Sequence, residues 1–182
     1  MARDSGWTGV EFERRLFLAR RHAEAAARTE DLAGFYIPSM SARTIVYKGL
    51  FNAPQLPLFY LDLRDPLFES ALALFHQRYS TNTFPTWNLA HPFRRLAHNG
   101  EINTLLGNRN WTRARERELE PGVWGAHVAS LPPLLQPGGS DSAALDNALE
   151  ALELGGRDLL HAVMMLVPQA WENRPSMDPE IG

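Results

Sequence analysis

Residues 75–111 read FHQRYSTNTFPTWNLAHPFRRLAHNGEINTLLGNRNW, and how this stretch divides into elements decides the fold. The chain entering it, ESALALFHQRYSTNT (69–83), is apolar and then abruptly polar. That pattern predicts a buried strand near residues 71–79 whose C-terminal end delivers Arg78. PFRRLAHNG (92–100) predicts a second strand of the same kind, ending at Asn99-Gly100. EINTLLGNRNWTRARERE (101–118) follows as a helix with Ile102, Leu105 and Leu106 on its apolar edge. The Asn-Gly pair between strand and helix has two readings. It is a strong turn signal, because both residues tolerate positive φ. It also offers a side-chain amide and a backbone N–H that can aim two donors at one oxyanion.

Outward from this stretch, EFERRLFLARRHAEAAAR (11–28) predicts an amphipathic helix with Phe12, Leu16, Ala19, Ala23 and Ala26 on its buried stripe. Its arginines, including Arg14, Arg15, Arg20 and Arg21, are expected on a solvated face. FYIPSMSARTIVYKGL (35–50) predicts two short strands around a Ser-Met-Ser turn. Pro54, Pro57 and Pro66 make residues 52–66 a loop with one turn of helix at LPLFY. Residues 119–139 read as a long Pro- and Gly-rich loop. SDSAALDNALEALELGG (140–156) is a helix that Ser140 or Asp141 can cap and Gly155-Gly156 stops; Leu145, Ala148, Leu149 and Leu152 form its stripe. RDLLHAVMMLVP (157–168) is another, with Leu159, Leu160, Val163 and Leu166 inward. No repeat or linker interrupts the chain.

Composition narrows the function classes. The 182 residues suit one domain or part of a larger one, and 45% apolar with 21% charged residues sustain a packed core. A net charge of −3 gives no case for non-specific nucleic-acid binding. No window approaches the ~18 apolar residues of a membrane span, and MARDSGWTGVEFERR has no apolar signal core. A cytoplasmic location is expected. Zero cysteines exclude disulfides, thiolate metal sites and a cysteine nucleophile within this chain.

Three polar clusters, HQRYSTNT, HNGEIN and GGSDS, stand where strand ends or a helix start meet loops. Arg78 can hold a carboxylate with a bidentate fork. Asp141 at a helix start can receive an ammonium, and Asn99 with Gly100 can hold an oxyanion. Together they would fit an α-amino acid with a reactive side-chain carbonyl. Simpler assignments compete: Arg78 as a structural ion-pair residue and Asp141 as a plain helix cap. His76 and His98 are expected as hydrogen-bonded core groups, since no His/Glu spacing makes a metal site. Trp87, Trp111 and Trp171 are expected to pack.

The 75–111 stretch, with RRLFLARR, VYKGLF, LPLFYLDLRDP, GGSDSAALDNALE and LVPQAWENRPSMDPE, closely resembles the glutaminase domain of the glutamate synthase large subunit, a class II glutamine amidotransferase. The resemblance runs in register from about residue 10 to 180. It implies an α+β, N-terminal-nucleophile fold, an αββα sandwich of antiparallel sheets between helical layers. It implies hydrolysis of L-glutamine by an N-terminal cysteine thiolate whose own α-amino group is the base. The ammonia would serve a synthase region bearing FMN and an iron–sulfur cluster, where 2-oxoglutarate becomes glutamate. By the same resemblance, Arg78 matches the residue that holds the glutamine α-carboxylate and Thr81 a nearby hydroxyl. Asn99 and Gly100 match the oxyanion hole, and Asp141 matches the acceptor of the α-ammonium.

The chain departs from that pattern at the nucleophile, since Met1 is followed by ARDSGW and no cysteine occurs. Residues 1–182 are therefore expected to be the C-terminal part of one amidotransferase domain, an incomplete N-terminal-nucleophile fold. Its expected partners are L-glutamine, a cysteine-bearing N-terminal segment and synthase domains on another chain. This chain would carry no metal or cofactor. Two alternatives stand beside that reading. One is a non-catalytic remnant or binding module. The other is a glutaminase part of another class II amidotransferase, such as the phosphoribosylamine- or asparagine-forming enzymes.

Overall fold

The computed structural model describes residues 6–7, 9–77, 84–100, 102 and 105–167. Helix α1, Gly9–Thr29, is a proline-free run with Glu11 in its first turn and Arg28 in its last, both matched to the helix dipole. It ends where Asp31 turns left-handed at φ 51° and the Leu32 N–H reaches back to the Ala27 carbonyl at 2.9 Å. Its buried face is not the expected alanine stripe. Glu13, Phe17, Leu18, Arg20, Arg21, Glu24 and Ala27 are buried, whereas Ala19 and Ala26 are exposed. Positions 13, 17, 20, 24 and 27 keep the helical period, but charged side chains occupy most of them. Arg20 and Arg21 are thus core residues: Arg20 pairs with carboxylates, and Arg21 donates to the Leu131 and Pro133 carbonyls.

Phe17 and Leu18 join Trp124, Leu131 and Leu154 in the apolar core, with Leu119, Val128 and Leu134 packed against it. The Phe17 and Trp124 rings lie 5.4 Å apart. Trp124 belongs to a 3-10 run, Gly122–Ser130, that kinks at Gly125 (φ 53°) inside the segment expected to be plain loop. Arg14 Nε donates to the Leu154 carbonyl at 2.6 Å, and Arg21 donates to the Leu131 carbonyl at 2.7 Å. These bonds fasten α1 to the far end of α4, Asp141–Leu154, and to the loop before it.

The other expected helices form. Helix α2, Leu56–Phe59, is the single turn at LPLFY, and α3, Leu105–Glu116, follows the Asn-Gly stretch. Ser140 caps α4, accepting from the Ala143 N–H at 3.1 Å, and Gly155 closes it. Helix α5, Leu159–Leu166, starts at Asp158, which accepts from Leu160 and His161. Its inward residue is Ala162, fully buried, while Leu159, Leu160 and Val163 are exposed, contrary to their expected packing. Trp111 is also exposed (70%), as is Leu106 on the expected apolar edge of α3; Trp87 packs edge-on against Tyr36 as expected. Trp171 lies outside the described residues.

No strand forms among the described residues, so the two short strands expected in 35–50, the one at 92–100 and the described part (71–77) of the one at 71–79 do not appear. Between 39 and 46 the chain folds back through side chains: Ser39 Oγ accepts from the Val46 N–H, and Ser41 Oγ from Arg43 and Thr44. Residues 93–96 bend in a turn closed by the Phe93 N–H to Leu96 carbonyl bond at 2.9 Å. Residues 71–75 are exposed, Leu72 at 83%. A strand is a relation between two segments, and these backbones pair with no second segment among the described residues. None of the described helices is long and apolar enough to cross a membrane.

Candidate functional site

A cluster of buried charges underlies the site. Arg20 (3% exposed) meets Glu24 at 3.2 Å and also bonds Glu150 of α4. Arg94 bonds the same Glu24 at 3.2 Å and stands 3.8 Å from Asp146, which is wholly buried. Burial pushes the Asp146 carboxyl above the usual carboxylate range, against the pull of the Arg95 N–H that it accepts at 2.7 Å. Arg95 in turn pairs with Glu153 at 2.5 Å. Consecutive residues 94 and 95 are therefore pinned to α1 and α4, which fixes the chain that leads to Asn99.

His98 is the next anchor. Its Nε2 lies 2.7 Å from Ser142 Oγ in the first turn of α4, and its carbonyl is 3.2 Å from His76 Nε2. His76 and His98 are thus half-buried hydrogen-bonded groups, as the sequence predicts. His91 stacks on His76 at 4.8 Å and meets His98 edge-on at 5.1 Å. Burial, then the neighbouring His76 and His98, lower its pKa to about 4, so it is neutral at pH 7. Beside this group Lys48 is buried, donating to the Asn88 carbonyl at 3.1 Å beneath Tyr36 and Phe93. Burial and the Arg94 charge lower its pKa to about 7.

Past His98 the chain emerges. Asn99 and Gly100 are exposed, and neither adopts the positive φ that the Asn-Gly turn reading expects. A Cβ on Gly100 would come no closer than 3.7 Å, to His98 Nδ1. Asp141, half-buried, does not cap α4; Ser140 does. Asp141 Oδ1 accepts instead from the Ser142 N–H at 2.6 Å and lies 3.2 Å from the Ser142 hydroxyl. Arg109 of α3 donates to the Gly139 carbonyl on the other side of the cap. The structure thus brings the Asn99-Gly100 turn to the start of α4 that carries Asp141. Arg78 and Thr81 lie outside the described residues. A cavity of about 600 Å³, lined by Val46, Tyr47, Phe51, Phe59, Tyr60 and Trp87, borders this region through Lys48, which also lines it.

Chemically, the turn offers an amide and a backbone N–H to a developing negative charge, and Asp141 offers a carboxylate to a cation. No three His, Cys, Asp or Glu side chains gather as a metal site among the described residues. Sequence reasoning missed Ser142, Arg109 and the buried Arg20–Arg94 cluster. The signals for the first two were weak: a serine beside a helix cap and an arginine on a polar helix.

Comparison with known proteins gives the family of the chain. The chain is 52% identical over 167 residues to the large chain of an NADPH glutamate synthase of Azospirillum brasilense, covering 92% of this chain and 11% of the relative. It is 50% identical over 171 residues to the corresponding large chain of Bacillus subtilis, covering 94% of this chain and 11% of that one. It is 50% identical over 179 residues to ferredoxin-dependent glutamate synthase 2 of Synechocystis, covering 97% and 11%. The chain therefore spans about a tenth of the length of these relatives. Residues 1–182 match the family described as glutamine amidotransferases class-II, and the chain belongs to that family.

Proposed function

We propose that this chain is the glutamine-binding and oxyanion-hole portion of a glutamate synthase amidotransferase domain. The observation that carries the reading is the bond from His98 to Ser142, which sets Asn99 and Asp141 each one residue away from a 2.7 Å contact. In the proposed pocket Arg78 holds the α-carboxylate with help from Thr81, and Asp141 holds the α-ammonium. A cysteine thiolate from a segment outside this sequence attacks the side-chain amide carbonyl. The Asn99 side-chain amide and the Gly100 N–H donate to the oxygen as it gains charge. The C–N bond breaks, ammonia leaves with a proton, and a thioester remains. Water then releases glutamate and restores the thiolate.

The sheets of the N-terminal-nucleophile fold belong to the same proposal: segments 35–48 and 69–77 gain strand partners from the rest of the domain. FMN and an iron–sulfur cluster would reside in the synthase region, since this chain has no cysteine to ligate a cluster. Two measurements test the reading. The purified chain should release no glutamate from glutamine above background, because no thiol is present. Reconstituted with a cysteine-bearing N-terminal segment, it should hydrolyse glutamine. Arg78→Ala should then weaken binding by about 1.5–3 kcal/mol, the range for a charge-assisted bidentate contact. Hydrolysis by the chain alone, or a loss of only a few tenths in a folded complex, would contradict it.

A further inference from the structure

The turn at 98–100 and the start of α4 are joined by a directional chain of hydrogen bonds. Ser142 Oγ stands 2.7 Å from His98 Nε2 and 3.2 Å from Asp141 Oδ1. The hydroxyl reaches both groups; with its proton on the Asp141 side, its lone pair accepts from His98 Nε2–H. That arrangement gives His98 the Nε2-protonated tautomer. The His98 carbonyl is held from the other side by His76 at 3.2 Å, so ring and backbone of the residue before Asn99 are both restrained. Ser142 is buried and His98 half-buried, which shields the 2.7 Å bond from competing water. A second tie runs from Arg109 to the Gly139 carbonyl, so the chain on both sides of Asn99-Gly100 is bound to residues on both sides of Ser140-Asp141.

We infer that His98 and Ser142 are positioning residues that lock the Asn99-Gly100 turn to Asp141, so that the groups facing the two ends of the substrate move as one unit. The inference rests on the glutamine pocket proposed above for its functional meaning. Neither residue touches substrate: both act through their neighbours. The lock itself is a property of the free chain. Without it, the turn loses its direct tie to the first turn of α4, and a donor displaced by an ångström no longer meets the oxyanion.

The test uses the 182-residue chain and nuclear magnetic resonance. In the wild type the His98 ring should show the Nε2-protonated tautomer, and Asn99 and Gly100 should have order parameters near those of α4. Ser142→Ala should mix the tautomers and lower order at 99 and 100 toward about 0.6, leaving residues 146–152 unchanged. Ser142→Thr, which keeps the hydroxyl, should restore both. A general loss of folding would instead disturb α4 throughout, and His98→Leu against His98→Gln then makes the same comparison from the other partner, Gln placing an N–H where Nε2 stood. Wild-type tautomer and order in Ser142→Ala, or equal behaviour of His98→Leu and His98→Gln, overturns the lock. Titration with L-glutamine separates the two ideas. Shifts at Asn99 and Ser142 that move together, with an affinity about three- to tenfold weaker in Ser142→Ala, support both. An intact lock with no response to glutamine overturns the pocket and leaves the lock standing. A response to glutamine that Ser142→Ala leaves unchanged overturns the coupling.

Discussion

The charge cluster between α1 and α4 and the turn at Asn99-Gly100 are both polar and do opposite work. Arg20, Glu24, Arg94, Asp146 and Glu150 are buried, and they bond mainly to one another. Asn99 and Gly100 are exposed, and Asp141 is half-buried. In the first region the charges are enclosed and paired with one another, with Arg94 Nη1 and Asp146 Oδ2 in ion-pair range at 3.8 Å but not hydrogen-bonded. In the second they are held by neighbours, His98 and Ser142, at the surface. Burial, more than polarity, separates scaffold from proposed site here.

The sharpest way to break this contrast is to remove one member of the cluster. Arg20→Ala leaves Glu24 and Glu150 buried without their shared cation. Breaking a buried pair from one side costs about 3–5 kcal/mol. Urea unfolding should show a loss of that size, or a chain that does not fold. Asn99→Ala, on the exposed turn, should stay within about 0.5 kcal/mol of wild type. Comparable stabilities for the two variants would mean that the cluster is not the scaffold.

Activity should reverse the ranking. In the reconstituted enzyme Asn99→Ala should lower kcat by about 10²–10³, or roughly 2.7–4 kcal/mol, because its amide meets charge that exists only after thiolate attack. KM should stay nearly fixed. A large rise in KM with kcat intact would make Asn99 a ground-state contact and end the oxyanion assignment. Among the described residues Gly100→Ala is sterically open, since the nearest atom to the added Cβ, His98 Nδ1, lies 3.7 Å away. It should therefore change kcat far less than Asn99→Ala, while the Gly100 N–H survives.

The helices were legible in the sequence because a helix carries its own signals. Ser140 before an apolar run, Gly155-Gly156 after it and Pro57 in a one-turn segment are local features, and each sits where the chain reads. The buried face of α1 was not legible. Apolar periodicity favours Ala19, Ala23 and Ala26, whereas the packed face is set by the carboxylates Glu24 and Glu150 facing Arg20, and Glu150 lies 130 residues away. The strands were not legible as pairs for a related reason: a ladder needs a second segment, and local β-propensity does not supply it. At the site, the residue types of Asn99, Gly100 and Asp141 could be read, but the Ser142 bridge between them could not, because it spans 44 residues.

A pH titration separates the two regions next. The His91 pKa falls from an ordinary 6.5 to about 4 in the fold. The folded state therefore binds fewer protons than the unfolded chain between those values, so this residue's contribution is full above pH 6.5 and lost as pH falls to about 4. Half burial and solvent screening reduce the shift to an expected effect of about 1–2 kcal/mol. Asp146 works in the other direction, because its raised pKa makes the folded state hold a proton more readily above the ordinary carboxylate value. The comparison of wild type with His91→Phe isolates the histidine. The difference in unfolding free energy between them should change across pH 6.5 to 4 and stay flat above 7. Lys48, lowered from 10.5 to about 7, is common to both proteins, and its own effect, a gain in stability as pH rises through that window, should appear equally in each.

The smallest effect compares two helix caps. Ser140 accepts from the Ala143 N–H at 3.1 Å and is buried, next to the proposed ammonium site. Asp158 accepts from Leu160 and His161 at the start of α5 and is exposed. Removal of either side chain frees backbone donors at a helix N-terminus, and the typical cost is about 1 kcal/mol. The solvent around each cap decides the difference. At Asp158→Ala water can reach the freed N–H groups, so the loss should fall near the lower end, about 0.5 kcal/mol. At Ser140→Ala water is excluded, and the Ala143 N–H must go unsatisfied or the first turn must shift, so the loss should reach the upper end, about 1.5–2 kcal/mol. A shift of that turn would also carry Ser142 and Asp141 away from His98. Ser140→Ala should then perturb the resonances of His98 and Asn99 as well as lowering stability, while Asp158→Ala leaves both in place. Equal losses, with His98 undisturbed in both variants, would show that the start of α4 is held by its packing and that its cap contributes no more than any other.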